Sequence, residues 1–110
     1  MYEYTYHGEF VIIKLKDELN EGNSVELKEW IANEFLKTGY NKILLDMSKF
    51  KSINSHTIGI LINLHRRISL LGGELSILAP NANVRRVLEM TRVSSFIKIY
   101  ESLNDIKDLI

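Results

Sequence analysis

The sequence predicts an α/β fold, a mixed sheet of four or five strands with about four helices, in the order β-β-α-β-α-β-α-β-α. The alternation of two kinds of apolar pattern indicates this class. Short apolar runs rich in β-branched residues alternate with longer segments in which apolar side chains recur at helical spacing. Such alternation is typical of parallel strands joined by crossover helices. Residues 1–110 are expected to form one domain, because the chain shows no internal repeat and no linker.

The chain begins with a predicted β-hairpin. Residues 2–6 alternate between tyrosine and polar residues, residues 10–15 are mainly apolar and β-branched, and Gly8 lies between the two runs. We expect Tyr2, Tyr4 and Tyr6 to share one face of the first strand. If that face is exposed, it indicates a surface for dimerisation or for binding a scaffold.

Each predicted helix begins at a polar residue suited to cap it. For the first helix we expect Asn23 or Ser24 as N-cap, with Glu26 completing a capping box and Gly39 ending the segment. The second helix is predicted to bury one apolar face and to end at the Gly72-Gly73 pair. That face consists of Ile58, Leu61, Leu64, Ile68 and Leu71. The remaining elements are strands at 42–45, 75–79 and 96–100, a short helix capped by Asn83 that ends near Met90, and a last helix from Ser102 to the terminus.

Composition restricts the class of function. The chain has 14 basic and 14 acidic residues and therefore no net charge, so direct binding to nucleic acid or to a membrane is not expected. No apolar run approaches the roughly 20 residues that span a bilayer, the N-terminus does not resemble a signal peptide, and cysteine is absent. We expect a cytoplasmic protein without cofactor or metal. His56 and His65, nine residues apart in one predicted helix, point to opposite faces and cannot share a metal ion.

The most informative segment runs from the strand at 42–45 into the following helix. Asp46-Met47-Ser48 follows the apolar run, and Ser55 opens the long amphipathic helix. Functional groups of such sheets lie beyond the carboxyl ends of the strands, where these residues are expected. The free N–H groups and the dipole of a helix N-terminus favour an anion, including a phosphate carried by Ser55 itself.

The chain resembles the STAS domain family of bacterial anti-sigma factor antagonists. The family pattern is a strand ending in Asp-x-Ser, followed by a loop into Asp-Ser-Ser-Gly-x-Gly at a helix start. Here the matching residues are Asp46-Met47-Ser48 and then Asn54-Ser55-His56-Thr57-Ile58-Gly59. Further similarity lies in Glu18-Leu19-Asn20, Gly72-Gly73-Glu74-Leu75, the segment 83–91 and the segment 99–103. The resemblance thus covers nearly the whole chain and implies a STAS-like fold.

The resemblance implies a partner-switching function without catalysis by this chain. In the family, the serine that matches Ser55 is phosphorylated by a protein kinase that is also the anti-sigma factor, and a serine/threonine phosphatase reverses the modification. The unphosphorylated antagonist binds this partner and frees the sigma factor. By resemblance, Ser55 is the acceptor. The docking surface comprises Asn54, His56, Thr57 and Gly59, with Asp46, Ser48 and Asn20 at its edges.

The sequence departs from the family pattern at five positions. Asn54 replaces an aspartate, His56 a serine, and Thr57, Asp17 and Arg92 stand where glycine is common. Because asparagine has no charge, a phosphate on Ser55 is expected to meet less repulsion than in the family pattern. Thr57 adds bulk where a kinase must approach.

Several alternatives remain open at this stage. Ser55 is a plain helix N-cap in the simplest interpretation. The second alternative is a STAS domain that does not switch and acts as a scaffold or as a self-associating subunit. Homodimerisation fits this alternative. A pocket for a nucleotide or lipid is a weaker third. A receiver domain phosphorylated on Asp46 would need more acidic residues near Mg²⁺ than the single Asp17-Glu18 pair provides.

Overall fold

The computed structural model describes residues 2–16 and 19–107 and has the predicted element order. The strands are β1 (Glu3–His7), β2 (Phe10–Lys14), β3 (Lys42–Asp46), β4 (Glu74–Leu78) and β5 (Lys98–Tyr100). The helices are α1 (Glu21–Glu34), α2 (Ser55–Leu70), α3 (Ala82–Met90) and α4 (Leu103–Lys107). Short 3₁₀ turns follow α1 at Leu36–Thr38 and α3 at Val93–Ser95. The predicted mixed sheet and its helices are therefore confirmed.

The sheet has the strand order β1-β2-β3-β4-β5. β1 is antiparallel to β2, with His7 opposite Phe10 across the tight turn at Gly8, whose φ is 61°. The pairs from β2 to β5 are parallel. This arrangement places the carboxyl ends of β2, β3 and β4 at one edge of the sheet, where Lys14, Asp46 and Leu78 are in register.

Helices cover both faces of the sheet, which explains why the central strands are apolar on both sides. On one face the sheet packs against α1, α2 and α3. Buried residues of this layer include Val11, Ile13, Ile43, Leu45, Leu75, Ile77, Leu27, Ile31, Leu61, Ile68 and Leu88. On the other face Ile106 of α4 packs against a smaller cluster of Phe10, Ile12, Leu44 and Leu78. Leu71, predicted at the end of the buried face of α2, is instead 53% exposed because it caps the helix.

Two predicted N-caps, those of α1 and α3, are wrong, because another asparagine nearby occupies each cap. The N-cap of α1 is Asn20, and its capping box is completed by Asn23 rather than by Glu26. The Asn20 side chain accepts the Asn23 N–H at 3.0 Å, and the Asn23 side chain accepts the Asn20 N–H at 2.7 Å. The N-cap of α3 is Asn81 and not Asn83. At α2, Ser55 is the first helical residue, as predicted, and Asn54 is the N-cap.

Most strand boundaries agree with the prediction within one or two residues. β4 ends at Leu78 rather than at residue 79, because Ala79 has a φ of 56° and leaves the extended conformation. β5 is shorter than predicted, since the chain is still in the 3₁₀ turn at Ser95. Arg92 has a φ of 64°, in the left-handed region that glycine adopts most easily, so the expectation of glycine at this position has a backbone reason. Asp17, Glu18 and the end of the predicted last helix lie outside the described residues.

Replacing Gly73 with alanine is expected to lower the free energy of unfolding by about 1–3 kcal/mol, because the core has no room for a methyl group. A Cβ at this position would lie 2.7 Å from Cγ2 of Ile68 and 2.8 Å from Cδ2 of Leu36. Urea unfolding followed by circular dichroism measures the change. The matched control is alanine at Gly59, where an added Cβ meets no atom within 4 Å. Equal stability of the Gly73 variant and the wild type would contradict this packing.

Candidate functional site around Ser55

Ser55 lies at the first turn of α2 with an exposed side chain. Asn54, the residue before it, caps the helix: its Oδ1 accepts the Thr57 N–H at 3.0 Å and the Thr57 hydroxyl at 3.2 Å. Within residues 2–16 and 19–107 no hydrogen bond involves the Ser55 hydroxyl. The interpretation of Ser55 as the plain N-cap is therefore wrong. Its hydroxyl is accessible to a second protein at the positive end of the helix dipole.

Hydrogen bonds hold the loop before Ser55 at two places, its start and its middle. At the start, Oδ1 of Asp46 accepts the Ser48 N–H at 2.9 Å, and the Met47 side chain is fully buried. Farther along, the side-chain amide of Asn81 donates to the carbonyl of Phe50 at 2.9 Å and to that of Lys51 at 3.0 Å. Asn81 thus joins the cap of α3 to the loop that presents Ser55. This role of Asn81 is not apparent from the sequence, because the two partners are about 30 residues away in the chain.

Replacing Asn81 with alanine is expected to destabilise the domain by about 1–2 kcal/mol, since one cap and two loop hydrogen bonds are lost. Aspartate is the matched control: it keeps the acceptor for the Val84 N–H, 2.8 Å away in the wild type, but cannot donate to the loop carbonyls. Chemical unfolding gives the stability of each variant. Hydrogen exchange of residues 50–54 reports on the loop, which we expect to exchange faster in both variants. Unchanged exchange would show that the loop does not depend on Asn81.

A groove between α1 and α2 starts at Ser55. Its first part, ≈ 420 Å³, is lined by Glu21, Ser24 and Val25 of α1 and by Ser55, His56, Gly59, Ile60 and Asn63 of α2. A second part of ≈ 180 Å³ continues along the helices to Lys28, Leu64 and Arg67. The two parts share Ser24, Val25, Ile60 and Asn63. The α1–α2 groove therefore forms one extended surface next to the Ser55 hydroxyl.

The groove combines an apolar centre with charged ends. Val25 is 53% exposed, although its neighbour Ile60 is almost fully buried. Glu21 lies at the Ser55 end, and the cationic side chains of Lys28 and Arg67 lie at the other. A single exposed apolar residue is ordinary on a protein surface, but a groove whose apolar lining of Val25, Ile60 and Leu64 lies inside a polar rim resembles surfaces that bind other proteins. The part contributed by α1 was missed in the sequence, because helix pairing is a tertiary feature that periodicity alone does not reveal.

The predicted site residues divide into three groups in the structure. Ser55, His56 and Gly59 line the groove. Asn54 and Thr57 form the capped start of α2, and Asn20 caps α1 immediately before Glu21. Asp46 and Ser48 form the turn that begins the loop and do not line the groove.

The described residues contain no group of three or more His, Asp or Glu side chains placed to hold a metal ion. None of the described helices has the length and apolar character needed to cross a bilayer.

The sheet topology together with a loop-presented serine at the start of α2 defines the STAS class. The model of the STAS domain family matches residues 2–106. The chain belongs to the STAS domain family.

Similar proteins support this assignment. A Thermotoga maritima protein, provisionally named an anti-sigma factor antagonist, is 37% identical over 105 residues, or 96% of this chain and 93% of the relative. A crystal structure of a Thermotoga maritima protein with the same provisional name gives a TM-score of 0.79 at 35% identity, covering 99% of this chain and 93% of the other. The Bacillus cell fate determinant SpoIIAA, in its phosphorylated form, gives a TM-score of 0.67 at 15% identity over 100% of both chains. This last likeness shows the shared fold.

Proposed function

We propose that this chain is an anti-sigma factor antagonist that binds an anti-sigma factor with serine kinase activity and releases it when Ser55 is phosphorylated. The observation that carries the proposal is the exposed Ser55 hydroxyl, which is free of the helix cap because Asn54 fills that role. The names of the Thermotoga relatives support the partner class. A phosphorylated form of SpoIIAA, a protein with the same fold, supports the mode of regulation.

The chemistry of the switch belongs to the partner enzymes in this proposal. The kinase transfers the γ-phosphoryl group of ATP to Oγ of Ser55; the P–O bond to ADP breaks, and the hydroxyl proton passes to a base of the kinase. A serine/threonine phosphatase restores Ser55 by hydrolysis and releases inorganic phosphate. This chain supplies the acceptor and the docking surface, acts in the cytoplasm and needs no cofactor.

The magnitudes favour a blocked interface over a change of fold. A phosphoserine adds about −1.5 to −2 charges. The helix N-terminus stabilises an exposed anion by only about 0.3–1 kcal/mol, which is too little to rearrange a packed domain. A hydrated phosphate enclosed in a protein interface is much less favourable, and Glu21 in the same groove adds repulsion between like charges. Phosphorylation therefore acts by preventing close contact at the α1–α2 groove.

Affinity capture from a lysate of the native organism tests the proposal. Wild type, Ser55→Glu and Ser52→Glu are used as baits. Ser52→Glu is the control, because Ser52 is exposed on the same loop and its replacement adds the same charge. We expect wild type and Ser52→Glu to retain an ATP-binding anti-sigma factor that Ser55→Glu loses. The captured kinase is then incubated with ATP and wild type, and the modified residue is mapped by mass spectrometry. Retention of the same partner by all three baits, or modification at another residue, would refute the switch at Ser55.

A further inference from the structure

Among residues 2–16 and 19–107, no strand pairs with the outer edge of β1. β1 is the terminal strand of the sheet, and four of its five residues are exposed. An open edge presents unpaired N–H and C=O groups and is usually protected by charged side chains, above all lysine, by proline or by a bulge. The β1 sequence Glu3-Tyr4-Thr5-Tyr6-His7 contains no lysine or proline, and it pairs with β2 residue by residue without a bulge. The edge is therefore available to another strand.

The backbone groups that face outward belong to Tyr4 and Tyr6. His7 and Phe10 close the two-residue turn of the hairpin and form a hydrogen-bonded pair. Hydrogen-bonded and non-hydrogen-bonded pairs alternate along antiparallel strands, so Thr5 and Glu3 also direct their N–H and C=O groups toward β2. The corresponding groups of Tyr4 and Tyr6 then point away from the sheet, where a further strand would bond to them.

The sequence of β1 is complementary to itself. If a second copy pairs antiparallel with Thr5 opposite Thr5, each Tyr4 lies opposite Tyr6 of the other copy, and the outward backbone groups of both residues are matched. The same register places Glu3 opposite His7, which pairs a carboxylate with an imidazole. Registers shifted by two residues pair fewer residues and separate Glu3 from His7. The centred register thus satisfies both the backbone and the side chains.

The tyrosine side chains add an aromatic surface to this edge. Tyr4 packs against Trp30 and Phe35 with ring centroids 5.5 and 5.1 Å away, and Tyr6 packs against Tyr40 at 4.7 Å. Even so, Tyr4 is 42% exposed and Tyr6 is 51% exposed. Pairing of two β1 strands would place Tyr4 beside Tyr6 of the other copy and would continue the aromatic row across the junction. Cross-strand aromatic pairs stabilise sheets.

We propose that two copies of this chain associate through antiparallel pairing of their β1 strands, centred on Thr5, so that the two sheets become one continuous sheet. This interface has two-fold symmetry, as in most homodimers. It does not depend on the proposed function, since no β1 residue lines the α1–α2 groove.

Disulfide trapping tests the register directly, because the natural chain contains no cysteine. In Thr5→Cys the two introduced cysteines face each other at a non-hydrogen-bonded position, about 4.5 Å apart at Cα, which a disulfide spans. In the control Glu3→Cys, the two cysteines are about 13 Å apart along the strands and cannot join. We expect mild oxidation to cross-link Thr5→Cys rapidly and Glu3→Cys at least about tenfold more slowly. Equal rates would overturn the proposed register.

Sedimentation equilibrium over about 5–500 μM, a range suited to a weak interface, tests the association without cysteine. We expect dimerisation of the wild type and at least tenfold weaker association of Thr5→Lys, because two lysines then oppose each other at the centre of the junction. Ser94→Lys adds the same charge at an exposed position outside β1 and should dimerise like the wild type. A wild type that stays monomeric, or a dimer unaffected by Thr5→Lys, would refute the proposal. Circular dichroism confirms that each variant is folded.

Discussion

Replacing Ser55 with glutamate is expected to weaken binding to the anti-sigma partner by more than tenfold while leaving the folded domain intact. The glutamate lies at the first turn of α2, so its carboxylate interacts favourably with the helix N-terminus and does not lower stability. In the complex the same carboxylate loses its hydration, and its repulsion from Glu21, which lines the same groove, is screened less by water. Because glutamate carries less charge than phosphoserine, the loss measured with this variant is a lower limit for the effect of phosphorylation.

Two measurements on the purified partner separate these effects. Isothermal titration gives the loss of affinity, and amide NMR spectra of wild type and variant show whether the fold is conserved. We expect shifts confined to the start of α2 and the facing turn of α1. Ser52→Glu is the control for charge outside the groove, and Ser55→Ala removes the hydroxyl without adding charge and should still bind. A spectrum altered throughout the domain would contradict a local mechanism, and unaltered affinity would exclude Ser55 from the interface.

The order of the elements was predictable because strands and helices differ in the period of their apolar residues. The apolar run at 42–45 is too short for a typical helix, and the face that begins at Ile58 recurs at helical spacing over four turns. Helix caps were harder to predict, since Asn20 and Asn23 are both good caps near one helix start. Asn81 was selected over Asn83 by tertiary contacts, the hydrogen bonds to the carbonyls of Phe50 and Lys51. Local sequence does not contain that information.

In the candidate site, too, local features were predictable from the sequence and tertiary features were not. The position of Ser55 at a helix start followed from the sequence, because a polar loop precedes an amphipathic segment there. The α1–α2 groove did not, since Val25 and Glu21 belong to a helix that is distant from Ser55 in the chain. That the Ser55 hydroxyl does not cap the helix was also not predictable, because this depends on whether Asn54 or Ser55 accepts the Thr57 N–H. If the helix began one residue later, Ser55 and not Asn54 would be the N-cap.

Gly59 is expected to show opposite effects on stability and on binding. It is an exposed residue in the interior of α2, has no atom within 4 Å of an added Cβ and lines the groove near Ser55. Because glycine destabilises a helix interior relative to alanine, Gly59→Ala should raise the free energy of unfolding by about 0.5–1 kcal/mol. The fold therefore gives no reason for glycine here, whereas the proposed contact of a partner with the α2 backbone would.

The expected effect on binding follows from the absence of a side chain at Gly59. If the anti-sigma partner packs directly on the α2 backbone, the methyl group of Gly59→Ala weakens the complex by about tenfold, which corresponds to about 1.4 kcal/mol. The larger side chain of Gly59→Leu should weaken the complex further. Ser69→Ala is the matched control, because this exposed α2 residue lies outside the groove: stability should rise and affinity should not change. A Gly59→Leu variant that binds like the wild type would place the partner elsewhere on the domain, whatever its effect on stability.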